Sequence, residues 1–321
     1  MNPDDPQHHH PEPRQALLDE LERFYDAVPR AGARAEDFGP LTLFVREGEG
    51  WPYYARPTLG WRGAPATAAD VLRVVARQRE LGLPEAFEWV DDRTPDLRAA
   101  VEQAGLTVHE HPLLVLPAER DGSAAANGTS ARDGAAAANG TSARNGAAAA
   151  NEGAEGSVTA AQPSDPADVR ILAVDDPALA SAVAVPHLAF AEPGTALGAA
   201  GPAELAEAVL RVEADGTVAR AVARIEAGVA AVAAAVADGA ALCAGQYQRV
   251  GPVCEIVGVG TLPAARRRGL GLAVTASLVA HARGHGVRTV FLSAADEDVA
   301  RIYRRAGFRN AATALIAEPP A

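Results

Sequence analysis

The chain's most concentrated chemistry lies in VCEIVGVGTLPAARRRGLGLAVTASL, residues 253–278. An apolar strand runs through Thr261 and Pro263 into Arg266-Arg267-Arg268-Gly269-Leu270-Gly271 and then into a helical pattern. Amides of a first helical turn have no internal partner, and the helix dipole favours negative charge beside them. Gly269 and Gly271 lack the Cβ that would hold a diphosphate at a distance. Three guanidiniums at the mouth add charge and paired donors. The order strand, glycine-bearing loop, helix start therefore predicts an anion site suited to a diphosphate.

This segment resembles the GNAT superfamily of acetyl-CoA-dependent acyltransferases. Its signature is Arg or Gln, two residues, Gly, one residue, then Gly or Ala, and Arg266, Gly269 and Gly271 match it. The resemblance implies that Arg266, Arg267, Arg268, Gly269, Leu270 and Gly271 hold the diphosphate of acetyl-CoA, a cosubstrate, and that no metal takes part. It also implies that backbone groups of Val259, Gly260 and Thr261 pair with the pantetheine arm. Tyr303, inside ARIYRRAGF, takes the place of the family tyrosine that protonates the departing thiolate. Helical spacing puts Tyr303 on one face with Val299, Ile302 and Ala306, so it also fits a core aromatic packed beside Phe308. Asp296 stands where the family often has an asparagine that contacts the cofactor, and it also reads locally as a helix N-cap.

Glu255 lies at the offset from Arg266 where some members, histone acetyltransferases among them, hold a glutamate general base. In an alternating strand it shares a face with Val257 and Val259, an apolar setting that raises a carboxyl pKa. The alternative is a strand glutamate facing water. Cys254 leaves by the opposite face, which favours direct attack in a ternary complex over a cysteine acyl-enzyme. The expected function is N-acetyl transfer from acetyl-CoA to a small-molecule or peptide amine. The alternative is a catalytically silent acyl-CoA-sensing or protein-interaction module that keeps only the cofactor loop.

Composition narrows the classes. All 29 basic residues are arginine, which excludes a lysine Schiff base and a Walker lysine. A net charge of −12 repels phosphate backbones, so no nucleic-acid partner is expected. No apolar run reaches the roughly 18 residues of a membrane span, and the start MNPDDPQHHHPEPRQ is unlike a signal peptide, so the expected location is cytoplasmic. Cys243 and Cys254 read as reduced, buried thiols.

Residues 121–156 repeat DGSAAANGTSAR-like units whose apolar side chains are all alanine, which cannot build a core. Four segments are expected: a disordered start over 1–12, an α/β domain over 13–118, a low-complexity Ala/Gly/Asn linker over 119–166, and a GNAT domain over 167–321. The expected fold class is α/β (α+β), a GNAT-like, mixed, mostly antiparallel sheet flanked by helices and preceded by a smaller α/β domain.

Periodicity predicts helices near 14–27, TAADVLRVVARQREL, PDLRAAVEQ, 177–191, 202–227, LAVTASLVAHAR and DVARIYRRA. Strands are expected near 41–47 and 52–58, and at AFEWV, TVHEHPLLVL, DVRILAV, VAAVAAAVA, the hairpin ALCAGQYQ and VCEIVGVGT, RTVFLSA and FRNAATALIA. The run ADVLRVVARQRELGL, AFEWV, DLRAAVEQAGL parallels AVTASLVAHARGHGV, TVFLS, DVARIYRRAGF, which points to an internal duplication. The first copy lacks the glycine loop and has Val101 where the second has Tyr303, so it reads as a degenerate half. Trp51, Tyr53, Tyr54 and Trp61 fit core or interface, and His281 with His285 fits charge at a helix end better than a metal site. His187, Phe190 and Glu192 lie in the region where the superfamily selects its acceptor.

Overall fold

The computed structural model describes residues 11–48, 50, 52–117 and 167–320, which belong to one compact unit. The tract expected at 119–166, the first ten residues and Trp51 lie outside the described residues. Before the tract come α1 (Pro11–Arg30), β1 (Ala33–Asp37), β2 (Leu41–Arg46), β3 (Arg56–Pro57), α2 (Ala68–Glu80), β4 (Phe87–Val90), α3 (Leu97–Gln103) and β5 (Thr107–Leu116). After it come β6 (Asp168–Ile171), α4 (Leu179–Ala191), α5 (Pro202–Ala214), α6 (Thr217–Glu226), β7 (Ala230–Ala237), β8 (Ala240–Val250) and β9 (Val253–Thr261). The chain ends with α7 (Leu270–Gly284), β10 (Thr289–Ser293), α8 (Glu297–Arg305) and β11 (Arg309–Glu318).

Three elements depart from the periodicity. The helical stretch over 202–227 is two helices, because Gly216 adopts a left-handed φ of 73° and turns the chain between α5 and α6. The strand expected over 52–58 shrinks to Arg56–Pro57, since Pro57 has no amide to extend the ladder. Strand β1, ARAED, is too polar to be recognised by pattern and forms by pairing with β2.

Eight strands make a mixed, mostly antiparallel sheet in the order β4-β11-β5-β10-β9-β8-β7-β6, and β9 and β10 run parallel within it. Strand β5, from before the tract, lies between β10 and β11, so one sheet runs through both segments that the sequence suggests as separate domains. The offset of 202 residues that lays Ala104-Gly105-Leu106 on Ala306-Gly307-Phe308 also maps the pair Leu315–Glu110 onto Ala312–Leu113, and both pairs occur in the β5–β11 ladder. Each half lends its last strand to the other, β5 to β10 and β11 to β4. A duplicated unit with exchanged terminal strands gives this arrangement.

Helices cover both faces. Ala231, Ala233, Ala235, Cys254, Ile256, Val290 and Leu292 pack under α7 and α8 on one face, with α2 and α3 further along over Phe87 and Trp89. On the other face Val232, Ala234 and Val236 lie under α4 and α5, while α1 covers Val253, Phe291, Leu113 and Ala314. The alanine-rich β7 is buried from both sides, and its methyl groups allow both helix layers to approach closely. Gly260 sets the tightest approach near β9, since a Cβ there would stand 2.8 Å from Ala189 Cβ and 3.0 Å from Pro186 Cα.

Gly260→Ala therefore overpacks the α4–β9 contact and is expected to destabilise by about 1–3 kcal/mol, measured by denaturant melting. Gly258→Ala, at a left-handed φ with open space around it, tests backbone strain alone.

Candidate active site

The parallel pairing of β9 with β10 covers Val253 to Glu255 against Thr289 to Phe291 and stops there, although β9 continues to Thr261. Three residues further on, Gly258 has φ of 65°, and the β8–β9 register steps from Gln246–Val257 to Ala244–Gly260. One residue of β8, Gly245, thus faces two of β9, Gly258 and Val259, a β-bulge. Beyond Glu255 no strand among the described residues pairs with the edge of β9 toward β10.

The bulge also sorts the side chains. Cys254 and Ile256 enter the core under α7, whereas Glu255 faces α1, so Cys254 and Glu255 do leave by opposite faces. Val259 does not share the face of Glu255 as simple alternation suggests, because the bulge turns it toward the α7 cluster.

Glu255 is 6% exposed. Tyr25, on α1, donates its hydroxyl to Glu255 Oε1 at 3.0 Å, and Gln248, opposite on β8, donates Nε2 to Oε2 at 2.9 Å. Arg56 lies 4.2 Å from the Tyr25 ring centroid and pairs with Glu88 at 2.5 Å. Burial pushes the Glu255 carboxyl up to about 7, helped by the Glu88 charge and opposed by the bonds from Gln248 and Tyr25 and by Arg56. Burial also raises Tyr25 well above its ordinary range. The water-facing alternative for Glu255 does not hold.

Sequence reasoning missed Tyr25, Gln248, Arg56 and Glu88. Gln248 was within reach, since a hairpin turning at 250–252 sets 248 opposite 255. Tyr25 shares the apolar face of α1 with Leu18 and Leu21, but nothing local tells which strand lies beneath it.

On the opposite face Tyr303 is buried in the α7–α8 core, and its ring meets Phe308 edge-on at 6.1 Å between centroids. Burial, and then the nearby Cys243, raise its hydroxyl to about 12. Thr261 donates its hydroxyl to Cys243 Sγ at 3.3 Å. A carbon added at Gly271 would stand 3.8 Å from Thr261 Oγ1 and 3.9 Å from Val259 Cγ1, so the first turn of α7 rests on the end of β9. Thr261, Cys243 and Tyr303 thus connect the start of α7 to α8. Both cysteines are buried free thiols, raised by burial to about 11 for Cys243 and about 12 for Cys254.

Within the glycine loop, Arg267 at φ 63° and Gly269 at φ 77° are left-handed, a geometry that turns successive amides to one side. Arg267, Arg268 and Gly269 are exposed, and Leu270 is half-buried at the helix start. Arg266 is placed differently from a phosphate claw: it is buried, with its guanidinium on the carbonyls of Ala189 at 2.9 Å and Ala196 at 3.1 Å and on that of Glu192. It ties down the loop after α4. Glu192 does the same, accepting from the amides of Ala199 and Ala200 at 3.2 and 3.0 Å, while Phe190 and His187 are exposed. Asp296 caps α8, accepting from the Val299 amide at 2.8 Å.

His281 and His285 stack at 4.1 Å, with His281 bonded to Tyr247 and His285 to the His281 carbonyl. Among the described residues no group of His, Cys, Asp and Glu is arranged to hold a metal, and no helix is long and apolar enough to cross a membrane. Tyr53 lies 4.2 Å from the Arg46 guanidinium, and Trp61 is exposed with its indole NH on the Ala64 carbonyl.

Residues 204–308 match the family described as Acetyltransferase (GNAT) family. The chain is similar to a GCN5-related N-acetyltransferase from Kribbella flavida, at 18% identity over 95% of this chain and 96% of that one, with a TM-score of 0.57. It is also similar to a GCN5-related N-acetyltransferase from Sphaerobacter thermophilus, at 17% identity over 76% of this chain and 65% of that one, TM-score 0.41. The PaiA N-acetyltransferase from Thermoplasma acidophilum in complex with coenzyme A matches 48% of this chain and 98% of its own at 12% identity, TM-score 0.35. No curated protein sequence matches the chain.

Arg266→Met is expected to lower stability by about 2 kcal/mol or more, because its buried hydrogen bonds to the carbonyls are lost. Hydrogen exchange should quicken over 189–200. Arg268→Gln, at an exposed position, should leave that segment protected.

Proposed function

The C-terminal part of this chain is a GNAT acetyltransferase domain, and from that premise we infer that the protein transfers an acetyl group from acetyl-CoA to an amine by direct attack, with Glu255 as base and Tyr303 as acid. The observation that carries this reading is the opening of β9 from β10 just past Glu255, next to the exposed amides that begin α7. A chain of amides such as pantetheine can pair with the free edge of β9 at Val259, Gly260 and Thr261 as a further strand would. The first-turn amides of α7, with Arg267 and Arg268, are placed to receive the diphosphate. The close seat of Gly271 on Thr261 keeps these two segments in one line.

The proposed base and acid lie on opposite faces of the sheet, Glu255 on the α1 side and Tyr303 on the α7–α8 side. The amine gives its proton to Glu255 as the C–N bond forms, the C–S bond breaks, and the leaving sulfur takes the hydroxyl proton of Tyr303. An amide at the bulge, around Gly258 and Val259, steadies the carbonyl oxygen. Glu255, at about 7, is poised to exchange a proton at neutral pH, and Tyr303, at about 12, keeps its proton to donate. The thiols of Cys243 and Cys254, held neutral by burial, take no part.

Acetyl-CoA is expected to raise the melting temperature, and thiol release on an amine panel should then follow. Tyr303→Phe and Glu255→Gln should each lower kcat on the order of 100-fold with acetyl-CoA affinity nearly unchanged. Unchanged turnover in both variants would remove the assignment.

The wild-type pH profile should rise through about 7 as Glu255 loses its proton. Tyr25→Phe removes a bond that favours the charged form, so that rise should move to higher pH. Folded Glu255 holds its proton more tightly than the unfolded chain does. Its contribution to stability is therefore full below 4.5 and declines as pH rises toward 7, so Glu255→Gln should melt progressively above the wild type over that window.

A further inference from the structure

One cation on the Glu255 face has no counterpart in the transfer chemistry. Arg224, on α6, is half-buried, and among the described residues no carboxylate pairs with it. Arg56, Arg77 and Arg170 are matched by carboxylates, those of Glu88, Glu36 and Asp176, and Arg249, Arg266 and Arg283 donate to backbone carbonyls. Burial lowers the Arg224 pKa, Tyr53 opposes that, and the neighbouring Arg46 guanidinium adds to it. A half-buried guanidinium with no carboxylate beside it favours an anion from outside.

Its position says which anion. Arg224 Nη2 donates to Gln248 Oε1 at 3.4 Å, and the other end of the same amide donates to Glu255 at 2.9 Å. Guanidinium and base are therefore separated by two hydrogen bonds and one amide group, less than about 9 Å. In an α- or β-amino acid the amine nitrogen and the carboxylate oxygens stand roughly 3 to 5 Å apart, and a hydrogen bond of about 2.8 Å at each end fills that span. Gln246 and Gln248, on the strip of β8 beside Glu255, are half-buried, as are Val257 and Gly258, so this strip is not sealed from solvent. The overall charge of −12 makes a guanidinium without a carboxylate here a selective feature, not part of a general basic surface.

We propose that the acyl acceptor is a small amino acid whose carboxylate is bound by Arg224 while its amine is held at Glu255. The proposal rests on the transferase reading above and narrows its acceptor to one chemical class.

The test uses the full chain, acetyl-CoA, and matched sets of each amino acid, its carboxamide and its decarboxylated amine, with thiol release as the readout. Free acids should exceed their amides in kcat/KM on the order of tenfold or more. Arg224→Gln should bring that ratio toward one, chiefly through the KM of the acid, and Arg224→Lys should restore most of it. Titrating the same acids and amides into wild-type protein saturated with coenzyme A gives a readout independent of the variants: the acids should bind more tightly, and less so as salt rises. Equal or better use of the amides or decarboxylated amines, or an Arg224→Gln loss shared equally by acid and amide, overturns the proposal. If acetyl-CoA does not bind, the transferase reading itself fails. If it binds and is turned over without preference for acids, the acceptor assignment alone fails.

Discussion

The structure turns on the parting of two neighbouring strands. Parallel strands held in register would bury their peptide groups in each other, and an eight-stranded sheet would then offer no edge at its centre. Here the ladder between β9 and β10 ends at Glu255 and Phe291, and the left-handed Gly258 adds a residue to β9 immediately beyond. The end of that ladder leaves an edge, and the bulge three residues on reverses the faces of the following side chains before the glycine loop. Glu255 and Tyr303 lie on opposite faces of that sheet.

The edge can stay open only because the rest of the sheet is over-determined. Strand β5 locks β10 from the side away from β9, and β11 locks β5 in turn, both borrowed across the two halves of the chain. Phe291 is held from above by Phe24 and Tyr25, at centroid distances of 5.0 and 5.4 Å, at the rung where pairing ends. The N-terminal half thus does more than add bulk. It supplies the strand that steadies β10, the tyrosine bonded to Glu255 and the Arg56–Glu88 pair that braces that tyrosine.

What could be read from the chain follows the range of the forces involved. The glycine loop, the helix it opens and the strand before it are set within about twenty consecutive residues, and their order survives in the fold. Asp296 as a cap, the two buried thiols and the opposite faces of Cys254 and Glu255 are likewise local facts. Arg266 shows where local reasoning fails. Its type and place match a phosphate ligand, yet its guanidinium is engaged by carbonyls some 70 residues earlier in the chain, a contact that depends on α4 crossing Gly260. The joining of the two halves was invisible for a related reason: alternation within TVHEHPLLVL marks a strand but carries no information on which strand becomes its neighbour. Periodicity likewise missed Gly216, whose turn divides one apolar run into α5 and α6.

The division of α5 from α6 has its own consequence for charge. A continuous helix over 202–227 would carry Arg224 on a straight axis with the face that bears Leu205 and Val212. The turn at Gly216 frees α6 to lie against β7, and from there Arg224 reaches across to Gln248 on β8. Buried Glu255, which resists ionisation, and half-buried Arg224, which resists staying charged, then sit at the two ends of one amide. Burial makes the charged form of each costlier than in water, although Arg224 remains a cation at neutral pH, and in the acceptor proposed above the amine would meet Glu255 and the carboxylate Arg224. Selectivity of that kind needs no large pocket, because leaving either end unpaired carries the desolvation cost of a buried charge.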